Sequence, residues 1–244
     1  TPAGDSYDLT RAELQPADAL MFVAAHTGRA RILAEWIDPS PRDELNPDDR
    51  DPALALYGDD VQPPYAEAFV EVFRAAQLAR IRRITDQALE MLELLQKRGT
   101  AELERPFIVH RTMADPRFLD PTLESNDRKP NWCYLGNPET VNTGPVGLAR
   151  FTTLRAWLSQ WSPDHSQADA QACIKGVSAP LLVIENTADD AVPVSHPTCV
   201  FEAANMADKT FRRIKGATHY YREQPDHQAR VIADIETWLT ERNF

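Results

Sequence analysis

Residues 179–193 read Ala179-Pro180-Leu181-Leu182-Val183-Ile184-Glu185-Asn186-Thr187-Ala188-Asp189-Asp190-Ala191-Val192-Pro193. An uninterrupted apolar run breaks into an acidic turn closed by Val-Pro. Such a run, bounded by turn residues, fits a strand buried on both faces of a parallel sheet. Thirty positions after Asp189 comes a second turn, Gly216-Ala217-Thr218-His219-Tyr220-Tyr221. It follows the strand-like segment Thr210 to Ile214. Two strands, each ending in a turn, put His219 at the same edge of a sheet as Asp189 and the adjacent Asp190, which spacing alone does not separate. In open parallel sheets ligands sit beyond the carboxyl ends of the strands.

The alternation continues around these segments. A strand over Leu181–Glu185, a helix over Pro197–Met206, a strand over Thr210–Ile214 and a helix over Asp226–Arg242 are expected. The last helix turns Val231, Ile235, Trp238 and Leu239 inward. Strands alternating with helices predict a parallel sheet covered by helices. Near the other end, Asp18 to His26 is a compact apolar run that also reads as a buried strand, followed by a helix over Gly28–Ile37. Residues 38–64 carry prolines 39, 41, 47, 52, 63 and 64 and seven aspartates, and read as an irregular acidic excursion.

Tyr65 to Arg98 lacks Gly and Pro, and Gly99 follows. Ala66, Val70 and Phe73 recur at steps of four and three, and so do Ile81, Ile84, Ala88, Met91 and Leu95. This predicts a long helix, about 50 Å if unbroken at 1.5 Å per residue, with a kink or a partner surface. Its seam reads as core packing or as a homo-oligomer contact through residues 65–98. Arg80, Arg82 and Arg83 read as a solvated face. Residues 104–150 are loop-rich, and loops on a rigid scaffold carry function. Phe151, Leu154, Leu158 and Trp161 then mark an amphipathic helix, and Ser166 reads as the cap of another running to Ile174.

Bulk properties exclude several classes. Across 244 residues the formal charge is −11, a surface that repels phosphate backbones, so no nucleic-acid partner is expected. The longest apolar run, Ala19–Ala25, falls far short of the ~20 residues that span a bilayer, so no membrane partner is expected. Cys133, Cys173 and Cys199 are widely spaced, with no Cys-x-x-Cys. Reduced thiols, a cytoplasmic setting and no metal or other cofactor follow as expectations. The opening Thr1-Pro2-Ala3-Gly4 is a turn sequence and matches no targeting segment.

The order of strand, acid turn, helix, strand, His turn and terminal helix resembles the C-terminal portion of the α/β-hydrolase family, whose triad runs Ser, then Asp or Glu, then His. The family's acid segment, Gly-x-x-Asp-x-x-Val-Pro, is matched by Asn186 to Pro193, with Asn186 replacing Gly at a position an αL turn tolerates. The resemblance implies Asp189 as the acid that orients the base and His219 as that base. It also implies that residues 1–26 end the first part of a hydrolase core. Residues 27–175 become a mainly helical cap insertion, and residues 176–244 return to the core. The same residues also read more plainly, as a solvated acidic turn and a structural histidine.

No Gly-x-Ser-x-Gly elbow occurs. Ser6, Ser40, Ser125, Ser159, Ser162, Ser166, Ser178 and Ser195 all lack its flanking glycines, and Ser195 reads as a helix N-cap. The resemblance therefore implies a nucleophile on a preceding segment or a companion N-terminal chain, which would also bring the oxyanion hole and pair with the strand at 19–25. The expected activity is hydrolysis of a carboxylic ester or related acyl bond in a small organic molecule. The same fold also hosts lyases and C–C hydrolases. Trp132, Tyr134 and Trp161 are candidate substrate walls, and His110 with Arg111 a candidate carboxylate contact or a loop-packing pair. Two other readings stay open: a non-catalytic small-molecule binding protein on this scaffold, and an enzyme using Thr1 as an N-terminal nucleophile. The turn at Thr1 disfavours the latter.

Overall fold

The computed structural model describes residues 1–99 and 101–244. In chain order the elements are β1 (Leu20–Val23), α1 (Arg29–Trp36), β2 (Pro41–Asp43), β3 (Asn46–Arg50), α2 (Glu67–Arg98), β4 (Pro106–Ile108), α3 (Pro138–Thr143), β5 (Phe151–Thr153), α4 (Leu154–Ala156), α5 (Ala170–Cys173), β6 (Leu181–Asn186), α6 (Ser195–Ala203), β7 (Lys209–Ile214) and α7 (Pro225–Thr240). They form two compact units. The first comprises 1–13, 28–123 and 135–169, and the second 14–27, 124–134 and 170–244.

The second unit holds a three-stranded parallel sheet in the order β1-β6-β7. Every residue of the central strand β6 is buried, and the pleat sends alternate side chains to opposite faces. Leu181 and Val183 pack with Val200, Ala204 and Met206. Leu182 and Ile184 pack with Ile214, Ala217, Val231 and Trp238. One face is thus covered by α6 and the other by α7, which is why β6 has no polar alternation before Glu185. The Trp238 indole N–H also donates to Thr210 Oγ1 at 3.1 Å. Burying each such large apolar side chain contributes roughly 1.5–3 kcal/mol. The chain is therefore mixed α/β with helices on a parallel sheet.

β1 is less buried than its apolar sequence predicts. It lies at an edge of the sheet, and Met21 is 43% exposed. Ser195 begins α6 but gives it no side-chain cap; its amide donates to Glu124 Oε1 at 2.6 Å. No helix among the described residues is long and apolar enough to cross a membrane.

In the first unit α2 runs unbroken for 32 residues and stops where Gly99 takes the left-handed φ of 59°, a conformation glycine adopts without a Cβ penalty. Its seam residues Ile81, Ile84, Ala88 and Leu95 pack inside the unit against Leu33, Ile37 and Trp157.

Several expectations are corrected here. Arg80 is not solvated but fully buried, with its guanidinium on Glu44 at 2.8 and 2.6 Å and on the carbonyls of Asp38, His110 and Arg111. Arg82 and Arg83 remain about half exposed. The acidic excursion contains an antiparallel hairpin, β2 with β3, held by backbone pairing and by Arg42 on Asp49 at 3.2 Å. Phe151 belongs to no helix. It pairs as β5 with Ile108 of β4, and the chain then passes through α4 into a π-helical turn, Trp157–Trp161. Ser166 is not the cap of α5, which begins at Ala170; its hydroxyl donates to the Ser159 carbonyl at 2.8 Å and accepts the Ala168 N–H at 3.3 Å.

Candidate functional site

β6 and β7 run parallel, so both chains leave the sheet at the same edge. Thr187 and Ala188 stay attached to the β7 turn, donating to the carbonyls of Ile214 and Ala217 at 3.1 and 3.0 Å. Gly216 has φ 77° and directs its N–H to Thr187 Oγ1 at 2.9 Å. The two turns are thereby laced together below the residues that carry chemistry.

Asn186, expected to turn the chain, is instead the last residue of β6 and fully buried. Its amide donates to the Thr218 carbonyl at 2.9 Å, and its Oδ1 accepts from the Tyr221 hydroxyl at 3.0 Å. Glycine there would leave both partners without these bonds.

The Asp189 carboxylate is 4% exposed. Oδ1 accepts the backbone N–H of Ala191 at 2.8 Å and of Val192 at 2.7 Å. Oδ2 lies 3.1 Å from His219 Nδ1. A carboxylate can only accept, so Nδ1 carries a proton, and in the neutral ring Nε2 then presents its lone pair. Among the described residues nothing is hydrogen-bonded to Nε2. The imidazole is partly exposed, its edge held by Tyr220 (centroids 4.5 Å) and by Tyr134 (6.3 Å).

Asp190 is turned differently. Its Oδ1 accepts the His219 backbone N–H at 3.3 Å, and its carbonyl accepts the Tyr134 N–H at 2.9 Å. Burial, and after it the neighbouring Asp189 charge, raises its carboxyl above the ordinary range despite the His219 amide. The two adjacent aspartates, inseparable by spacing, differ in geometry, and Asp189 is the one on the ring.

A cavity of about 180 Å³ lies at the His219 turn, walled by Trp132, Tyr134, Asp190, Thr218, Tyr220, Arg222 and Glu223, with neither Asp189 nor the His219 ring in its lining. Burial, aided by Tyr220 and Cys133, pushes the Tyr134 phenol up to about 12, so it remains protonated. Lys129 Nζ stands 4.5 Å over the Trp132 ring. Trp132 and Tyr134, expected from the sequence as substrate walls, line this cavity; Thr218, Tyr220, Arg222 and Glu223 line it too and were not expected, although the aromatic pair directly after His219 marked that turn.

The other predicted contacts belong to the first unit and have local partners there. Trp161 is buried in the core, with the Arg29 guanidinium 5.6 Å from its ring centroid. Arg111 donates to the Pro47 carbonyl at 3.0 Å and to Asp48 at 3.2 Å, which is the loop-packing role. His110 gives its carbonyl to Arg80. Thr1 lies on an exposed turn, its hydroxyl on Asp5 Oδ2 at 2.9 Å, and opens onto no strand. No cluster of three or more His, Cys, Asp or Glu side chains able to hold a metal occurs among the described residues. No family model, no curated protein and no solved structure matches the chain.

Proposed function

We propose that the chain supplies the acid and the base of a serine hydrolase that cleaves a carboxylic ester or related acyl bond of a small organic substrate. The observation that supports this best is the Asp189–His219 pair. A carboxylate is fixed by two backbone N–H groups, bonded to Nδ1, and set beyond the carboxyl ends of parallel strands. Such a carboxylate fixes the tautomer and stabilises the imidazolium formed on proton uptake. In this reading the three strands are the last part of a hydrolase sheet, and residues 27–175 form the cap insertion.

The chemistry runs in two halves. A serine hydroxyl gives its proton to His219 Nε2 as its oxygen bonds to the acyl carbon. The imidazolium then returns that proton to the leaving alkoxide as the ester C–O bond breaks. Water repeats the sequence on the acyl-enzyme, releasing the acid and regenerating serine. The serine and its oxyanion hole are assigned to a preceding segment or a companion chain. The outer edge of β1, unpaired among the described residues and bearing the exposed Met21, is the place for that segment to pair. Such an edge is otherwise a liability.

The test is p-nitrophenyl acetate hydrolysis by the natively isolated protein and by its His219→Ala variant. Loss of saturable turnover with an unchanged melting temperature is expected. Equal turnover would remove His219 from the mechanism.

A further inference from the structure

A second cavity, of about 640 Å³, lies wholly in the first unit. That volume falls in the roughly 300–1,000 Å³ range of small-molecule sites. The floor is α2, through Ile84, Ala88 and Met91. The opposite wall is the β4–β5 pair, where Ile108 and Phe151 are register partners and stand 56% and 70% exposed. Leu45, 94% exposed on the β2–β3 turn, also lines it. These apolar side chains converge on one hollow rather than being scattered singly, the arrangement that marks a ligand site.

The polar groups of the hollow define what it accepts. Arg105 holds the Glu102 carboxylate with two bonds of 2.8 Å. Glu44 is held by the buried Arg80. Both charges at the wall are neutralised from within the protein. What remains is the His110 imidazole and the Gln87 amide, neither of which makes a side-chain hydrogen bond among the described residues. Burial, and then the Arg150, Arg80 and Arg111 charges, lowers the His110 pKa against the pull of Glu44. A neutral imidazole offers one donor and one acceptor.

We propose that this hollow binds a small, uncharged, largely apolar molecule carrying one hydrogen-bonding head, its body between Met91 and Phe151 and its head on His110. The assignment is independent of any catalytic role for Asp189 and His219.

The probe is N-phenyl-1-naphthylamine, a neutral apolar amine, titrated by fluorescence into the full chain alongside its anionic sulfonate analogue. Saturable binding of one neutral probe per chain, tighter than the analogue, is expected. Ile108→Asp and Phe151→Asp, both at exposed positions that leave the fold intact, should each weaken it at least tenfold. His110→Leu should weaken it several-fold while leaving the melting temperature in place. Tighter binding of the anionic probe, no saturation, or parental affinity in both aspartate variants would overturn the proposal. So would sedimentation showing a dimer that Ile108→Asp dissociates, since the face would then join two copies.

Discussion

Asp189→Asn separates the chemistry of the candidate site from its architecture. Asparagine keeps one oxygen, which can take the place of Oδ1 and accept the Ala191 and Val192 N–H groups at 2.8 and 2.7 Å. Its NH₂ then replaces Oδ2, 3.1 Å from His219 Nδ1. Two donors cannot face each other, so the ring proton moves to Nε2, and the nitrogen that must accept a proton no longer can. The same exchange in a Ser-His-Asp triad lowers kcat about 10⁴-fold, equivalent to roughly 5 kcal/mol at 1.36 kcal/mol per tenfold. Stability should change little, because both turn bonds survive. Asp189→Ala should differ, stranding those two buried N–H groups at a cost of about 1–3 kcal/mol each. The assay pairs ester turnover with thermal melting on both variants. An Asn variant that melts like the parent and keeps more than a tenth of its turnover would refute the triad reasoning.

Further outcomes follow from individual environments. Asp190, with its carboxyl raised by burial, contributes stability that is complete below its unfolded pKa and is lost as pH rises through the higher folded value. Asp190→Asn should therefore gain stability over the parent from about pH 4 upward; urea midpoints running parallel across pH 3–8 would contradict this. Arg80→Met leaves Glu44 and three carbonyls without their buried partner and should cost about 3–5 kcal/mol in denaturant unfolding. Arg82→Met, which removes only an exposed bond to Asp164, should leave the midpoint unchanged.

The second unit was largely legible in sequence because its signals are local. β6 is an apolar run with turn residues at both ends, and α7 shows its buried stripe by spacing alone. The long helix was equally plain from the absence of Gly and Pro. What escaped depends on partners distant in the chain. Arg80 sits among other arginines and looks solvated until Glu44, 36 positions away, encloses it. Phe151 fits a helical stripe by spacing, yet pairing with Ile108 overrides that pattern. The β2–β3 hairpin carries no apolar alternation, since backbone pairing and arginine–aspartate bonds fix it. At the site, spacing placed Asp189 and His219 together but could not separate Asp189 from Asp190. The backbone bonds of the Ala191–Val192 turn make that distinction.

The central claim is that this chain is the acid-and-base part of a serine hydrolase. Denaturing intact-mass analysis of the natively isolated protein, before and after a fluorophosphonate probe, tests it most directly. The account predicts that a polypeptide segment bearing Gly-x-Ser-x-Gly, beyond these 244 residues, gains the probe mass, and that His219→Ala abolishes the gain. A single species at 27.5 kDa that takes up no probe would contradict it and move the site toward binding without catalysis.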